Sequence, residues 1–248
     1  MRVALFVSCL VDQMWPSAGV ATVEVLRRAG CEVDFDPRQT CCGQPAFNTG
    51  YLDEARRVAR QFLDVMGESD AEAIIVPSGS CGAMVRRLGE LFQTGVDADR
   101  AREVAAKTHE FAGFLINVLG VQSVGGHFAG RVTWHDACHG LRDLGLRDEP
   151  RRLIRSVRGI ELVELPREEA CCGFGGSFAV RHPELSVAML DRRLEGLDEL
   201  GVDALVSGDV GCLMQIEGRL QRLAESRSVP PVRSLHLAEL LVADGALP

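Results

Sequence analysis

The sequence is most restrictive in what it lacks. No run approaches the ~20 apolar residues that a membrane-spanning helix needs, although 46% of the 248 residues are hydrophobic. Basic charge is in deficit, with 27 Lys and Arg against 35 Asp and Glu for a net charge of −8. Nucleic acid or an anionic membrane would repel such a chain. The arginine pairs Arg86-Arg87, Arg151-Arg152 and Arg192-Arg193 are flanked by acids at helical spacing, so they are expected on solvated helix faces. No export signal is recognisable, because Val3 to Val7 is too short for the apolar region of a signal peptide and reads as a buried first strand. The expected location is cytoplasmic, a reducing compartment where clustered cysteines serve metal or redox chemistry rather than structural disulfides. A dinucleotide fingerprint is also missing. Cys172-Gly173-Phe174-Gly175-Gly176 precedes a helical segment, but it lacks the G-x-G-x-x-G spacing at a first βα turn. No flavin or nicotinamide site is expected, so the chain is not expected to oxidise a substrate alone.

What is present is cysteine in register. Cys9, Cys41-Cys42-Gly43 and Cys81 are separated by 31 and 38 residues, and Cys138, Cys171-Cys172-Gly173 and Cys212 by 32 and 39. Eight of nine cysteines thus form two matching sets. A shift of 129 to 131 superposes them, and also Ala73-Ile74-Ile75-Val76 on Ala204-Leu205-Val206; a shift of 127 brings His109-Glu110-Phe111-Ala112 near His236-Leu237-Ala238. Such self-similarity marks a duplication, expected as residues 1–125 and 126–248 with a boundary near Gly120 to Gly130.

Each half alternates strand and helix. Val3–Val7, Cys31–Phe35 and Ala73–Val76 read as strands; Ser17–Ala29 and the apolar stripe from Leu52 to Met66, closed by Gly67, read as helices. The second half repeats this with strands near Arg131–Trp134, Ile160–Val163 and Ala204–Val206, and a helix from Pro183 to about Leu200. This predicts an α/β protein of two duplicated Rossmann-like, three-layer halves, with mainly parallel sheets and a pseudo-two-fold relation. Each cysteine of a set then follows the carboxyl end of a parallel strand, where open α/β sheets build their sites.

Four convergent thiols in a reducing compartment point to a metal. Structural Cys₄ zinc is one reading, but zinc sites use spaced knuckles. Adjacent thiolates reach one small ion poorly and different irons of a cluster readily, which favours iron–sulfur. A vicinal-dithiol oxidoreductase is a third reading, against the strain of disulfides between neighbours. Gly43, Gly173, Gly175 and Gly176 suit a cofactor loop, because glycine lets main-chain N–H groups approach sulfur closely.

The doubled Cys-x₃₁₋₃₂-Cys-Cys-Gly pattern resembles the CCG, or cysteine-rich, domain found in heterodisulfide reductases and in the iron–sulfur subunits of glycolate oxidase. Cys41-Cys42-Gly43-Gln44-Pro45-Ala46-Phe47-Asn48 and Cys171-Cys172-Gly173-Phe174-Gly175-Gly176-Ser177-Phe178, with the overall length, are similar to the lactate-utilization protein A family over essentially the whole chain. The resemblance implies an electron-transfer subunit holding one or two [4Fe–4S] clusters. It also implies a ferredoxin-like iron–sulfur partner and a third small subunit, the complex oxidising L-lactate to pyruvate. The chain departs from the fullest motif, whose last cysteine belongs to a Cys-x-x-Cys. Ser78 and Asp209 stand at the first position of that pair, so five-thiolate ligation is excluded and heterodisulfide chemistry is not carried over. Asp209 remains a candidate oxygen ligand beside the eight cysteines.

Cys31 is expected as a buried apolar thiol. His135 and His139 flank Cys138 and have Phe6 and Leu10 at the matching positions; packing or a proton role near the second site are both open. His109 and His236 are expected to cap or pack at helix starts, Trp15 and Trp134 to lie in a core or interface, and Gln44 and Asn48 to donate toward cluster sulfur.

Overall fold

Short apolar runs build two parallel sheets in the computed structural model, which describes residues 1–167, 169–228 and 230–246. In the first half, β1 (Arg2–Leu5), β2 (Glu32–Asp34), β3 (Ala73–Val76) and β4 (Thr108–Glu110) lie in the order β2-β1-β3-β4. In the second, β5 (His127–His135), β6 (Arg158–Leu162), β7 (Ala204–Ser207) and β8 (Arg233–His236) lie in the order β6-β5-β7-β8, and β9 (Asp244–Gly245) pairs with the start of β5. Every pairing is parallel. Strands β3 and β7 are buried along their whole length, as expected of central strands covered by helices on both faces. The architecture is the duplicated α/β fold read from the sequence.

The helices form for local reasons. Leu52–Gly67 carries Asp53 and Glu54 in its first turn, where they oppose the helix dipole, and buries Ala55, Ala59, Phe62, Leu63 and Met66 as one stripe. Pro183 sits in the first turn of the helix Pro183–Leu194. That helix does not run on to Leu200 as expected. Gly196, at φ +84°, breaks it before the turn Leu197–Leu200, a left-handed conformation that glycine takes without penalty.

The fourth strands, β4 and β8, are absent from the sequence reading because each is short and gives way at once to a helix. They also correct the alignment of the halves. In register, Glu110 lies opposite Val76 and His236 opposite Ser207. The residue equivalent to His236 is therefore Glu110, not His109. Both are helix N-caps: the Glu110 side chain accepts from Gly113 N, and His236 Nδ1 accepts from Ala238 N in a capping box completed by Glu239.

One hydrophobic cluster runs through both halves, joining Val3, Leu5 and Val25 to Trp134, Leu237 and Leu241. The halves exchange their closing helices. Leu237–Val242 packs on Pro16–Arg28 of the first half, and Phe111–Gly113 packs on Asp148–Arg155 of the second. Cys31 lies in this core, and burial pushes its thiol up. Trp134 is buried with Nε1 donating to Asp136, while Trp15 Nε1 bridges the halves to Glu239.

Two arginines expected on solvated faces are buried instead. Arg151 bonds both Asp136 oxygens and Glu164, and Arg193 donates to His135 Nδ1 and to the carbonyls of Pro166 and Trp134. Arg86, Arg87, Arg152 and Arg192 are exposed as expected.

Candidate metal centre

In the order β2-β1-β3-β4 the winding reverses between β1 and β3, and such a switch point opens a crevice at the carboxyl ends of the strands. Cys9 opens the helix Cys9–Met14 just after β1, Cys81 lies in the first turn of Gly79–Arg86 just after β3, and Cys41-Cys42 occupies the loop after β2. The second half places Cys138, Cys212 and Cys171-Cys172 the same way after β5, β7 and β6.

The sulfurs converge. Cys42 Sγ lies 3.4 Å from Cys81 Sγ, and Cys172 Sγ lies 3.1 Å from Cys212 Sγ. Cys41 is engaged by Cys9, and Cys171 by Cys138. The neighbours in each pair thus turn toward different outer partners. In the first quartet the thiols of Cys42 and Cys9 donate to Cys41 and draw it down to about 3, helped by Gly43 N–H, 3.4 Å from its sulfur. Cys138 and Cys172 draw Cys171 down to about 2 in the same way, with Gly173 N–H at 3.3 Å. Cys9, Cys42, Cys138 and Cys172 are correspondingly held up as donors, with burial adding to the effect. For Cys212, burial and the Asp209 carboxylate outweigh the downward pull of Cys172. In each quartet one sulfur held low among its neighbours is part of a donor set that a cationic centre completes.

Glycine makes this nesting possible. Gly43 and Gly173 sit at φ +88° and +78°, and a Cβ on Gly173 would meet Ser186 O at 2.5 Å. Gly175 and Gly176 also take positive φ, and both line the site.

All eight cysteines line one cavity of about 530 Å³ between the halves. Asp209, Gln44, Asn48 and His139 share its wall, and no Arg or Lys is among its lining residues. Gln44 Nε2 donates to Ser80 O at 3.0 Å and lies 3.4 Å from His139 Nε2. His139 Nδ1 lies 3.6 Å from Cys138 Sγ. His135 is fully buried, and one of its ring nitrogens lies within 4.8 Å of both Cys172 Sγ and Cys212 Sγ. Burial and the Arg193 guanidinium hold it neutral, down to about 3.

The cysteine-rich CCG domain family matches residues 3–86 and 132–217, the two stretches that carry these quartets. The lactate utilization protein A of Geobacillus thermodenitrificans is 44% identical over 242 residues, covering 97% of this chain and 98% of that protein. Its counterpart from Bacillus subtilis is also 44% identical, over 97% of this chain and 99% of its own. The chain belongs to the lactate utilization protein A family. A hypothetical protein from Helicobacter pylori shares the fold at TM-score 0.65 and 10% identity, covering 97% of this chain and 48% of that one.

In this lactate utilization protein A family member, the two positions that depart from the five-cysteine motif touch. Asp209 Oδ2 accepts from Ser78 Oγ at 3.1 Å and from Ser80 N at 2.8 Å, and Oδ1 accepts from Gly211 N and Cys212 N. Both carboxylate oxygens are spent on donors. Asp209 thus clamps the two quartets together.

The residues missed in sequence are Arg193 and Arg151. Their signal was positional: Ser186, Leu190, Arg193 and Leu194 fall on one buried stripe, and so do Pro150, Arg151 and Ile154. Among the described residues, no helix is long and apolar enough to cross a membrane.

Proposed function

We propose that this chain is the iron–sulfur electron-transfer subunit of a cytoplasmic oxidoreductase complex that converts L-lactate to pyruvate. The observation that carries the reading is the one cavity lined by both cysteine quartets and, among the described residues, by no Arg or Lys. Oxidising the lactate carbinol to a ketone releases two electrons and two protons. A [4Fe–4S] cluster, when bound, supplies reversible one-electron storage, so two quartets match a two-electron donor. Lactate is a carboxylate, and the cavity offers it no Arg or Lys. Substrate binding is therefore assigned to a partner: a ferredoxin-like iron–sulfur protein with a third small subunit.

The ligand sets are Cys9, Cys41, Cys42 and Cys81 in domain 1–125, and Cys138, Cys171, Cys172 and Cys212 in domain 126–248. The chain's own contribution is to hold these thiols at the strand ends. Gly43 and Gly173 N–H groups steady the thiolates, and the apolar wall limits water at the sulfurs.

Protein purified anaerobically should contain iron and acid-labile sulfide, absorb broadly in the visible, and lose about half of both when Cys42 or Cys172 is changed to Ser. Colourless protein with stoichiometric zinc would overturn the reading in favour of a structural Cys₄ module. Metal-free protein whose Cys41-Cys42 pair cycles with a dithiol would favour a thiol–disulfide oxidoreductase. Co-purification with the ferredoxin-like subunit tests the partner assignment.

A further inference from the structure

The two halves differ at one buried pair beside the quartets. Gly43 packs against Ala55 and Val58, and Gly173 packs against Ser186 and Met189, which equates positions 55 with 186 and 58 with 189. The same offset equates Phe62 with Arg193, and the strand register equates Phe6 with His135. In the first half Phe6 and Phe62 meet edge to face, ring centroids 4.7 Å apart. In the second half the same two places hold His135 and Arg193, with Arg193 Nε 2.9 Å from His135 Nδ1. An apolar pair has been exchanged for a buried polar one. Taking a guanidinium out of water is costly, and an apolar pair of similar volume often serves stability as well or better. The exchange calls for a chemical reason.

The hydrogen-bond pattern supplies it. Guanidinium nitrogens only donate, so Nδ1 of His135 must accept and the ring's single proton sits on Nε2. Nε2 is buried without a partner among the described groups. With Nδ1 occupied by Arg193, Nε2 is the nitrogen left to serve the sulfurs of Cys172 and Cys212, both of which lie within 4.8 Å of one ring nitrogen. A protonated Nε2 cannot ligate a metal; it can donate N–H···S. Such bonds stabilise the extra negative charge of a reduced iron–sulfur centre and raise its potential.

We propose that His135 donates a hydrogen bond from Nε2 to the Cys172/Cys212 side of the second centre, that Arg193 is the positioning residue fixing this tautomer, and that the second site is thereby held at a higher reduction potential than it would have with the apolar pair of the first. The proposal rests on the iron–sulfur reading above.

The double variant His135→Phe/Arg193→Phe rebuilds the first-half pair in the second half. After iron and sulfide have been quantified, an EPR-monitored redox titration of wild type and variant separates the possibilities. We expect unchanged iron and sulfide, an unmoved first site, and a second site whose one-electron reduction equilibrium is at least about tenfold less favourable, ~59 mV lower. A fully loaded variant with both potentials unmoved overturns the proposal. Loss of the second site's iron also overturns it, by making His135 a ligand. Wild type without iron or sulfide overturns the underlying reading instead, and the proposal with it.

Should the double variant not fold, pulsed EPR on reduced, ¹⁵N-histidine-labelled protein in a His139→Phe background decides the matter. A weak imidazole coupling with a solvent-exchangeable proton supports the donor role. Absence of coupling, or a coupling of directly ligated strength, overturns it.

Discussion

Ser78 Oγ donates to Asp209 Oδ2 at 3.1 Å, joining the residues that precede the last cysteine of each quartet. Each stands at the N-cap position of its own helix, Gly79–Arg86 and Val210–Arg227, although only the Asp209 side chain accepts from its own helix's N–H groups, and Gly79 N also reaches Gly208 O. The two helix starts that carry Cys81 and Cys212 are thus tied across the pseudo-two-fold by one carboxylate. Asp209→Ala should cost about 2–4 kcal/mol in urea unfolding, combining a lost cap with stranded donors at Ser78 and Ser80. Asp209→Asn, which keeps the Oδ1 acceptor, should cost less and retain its iron. Iron loss from a folded Asp209→Asn protein would instead identify a ligand.

The two glycines after the cysteine pairs should respond unequally. A Cβ at Gly43 would approach Ala55 O at 3.3 Å, whereas at Gly173 it would press on Ser186 O at 2.5 Å. Both positions have positive φ, worth about 1–2 kcal/mol against alanine. Gly43→Ala is expected to lose about that much, and Gly173→Ala clearly more, with iron depleted at the second site first. Equal losses in chemical denaturation would contradict the close approach.

Much of this was legible in the chain because it depends on period and spacing. Cysteine intervals located both quartets, and the run Ala73–Val76 gave a strand end to hang Cys81 on. The fourth strands were illegible because Thr108–Glu110 and Arg233–His236 are too short to show a period of two, and because β4 and β8 pair only after distant segments have closed. Arg151 and Arg193 were misread because charge dominates a local reading, while their burial is decided by partners such as Asp136 and His135, far along the chain. The Asp209 clamp was illegible for the same reason: its partner Ser78 is 131 residues away.

Arg151 gives a stability test apart from the cysteines. Its guanidinium bonds both oxygens of buried Asp136, which also accepts from Trp134 Nε1 at 2.8 Å, and it reaches Glu164. Burial lowers the Arg151 pKa, but the bonds to Asp136 and Glu164 more than compensate, so its charge is secure. Arg151→Met removes one member and leaves Asp136 buried without its cation, a loss expected at about 3–5 kcal/mol. The urea midpoint should fall accordingly. A change below about 1 kcal/mol would mean that the network adds little.

Glu110 predicts a pH dependence with a definite sign. Its carboxyl is buried where the halves meet, and burial pushes it from 4.5 up to about 7, against the stabilising N–H groups of Gly113 and Ala112. Below pH 4.5 the group is protonated whether the chain is folded or not, and it contributes no penalty. Between 4.5 and about 7 the unfolded chain ionises while the folded one holds its proton, so stability falls as pH rises. Above about 7 the penalty is complete, at roughly 3 kcal/mol taking about 1.36 kcal/mol per pH unit. Glu110→Gln keeps an acceptor for Gly113 N and cannot ionise. It should match wild type near pH 4.5 and exceed it by up to that amount at about pH 8, measured by urea unfolding at both pH values. A variant no more stable than wild type at the higher pH would show that Glu110 ionises in place without cost.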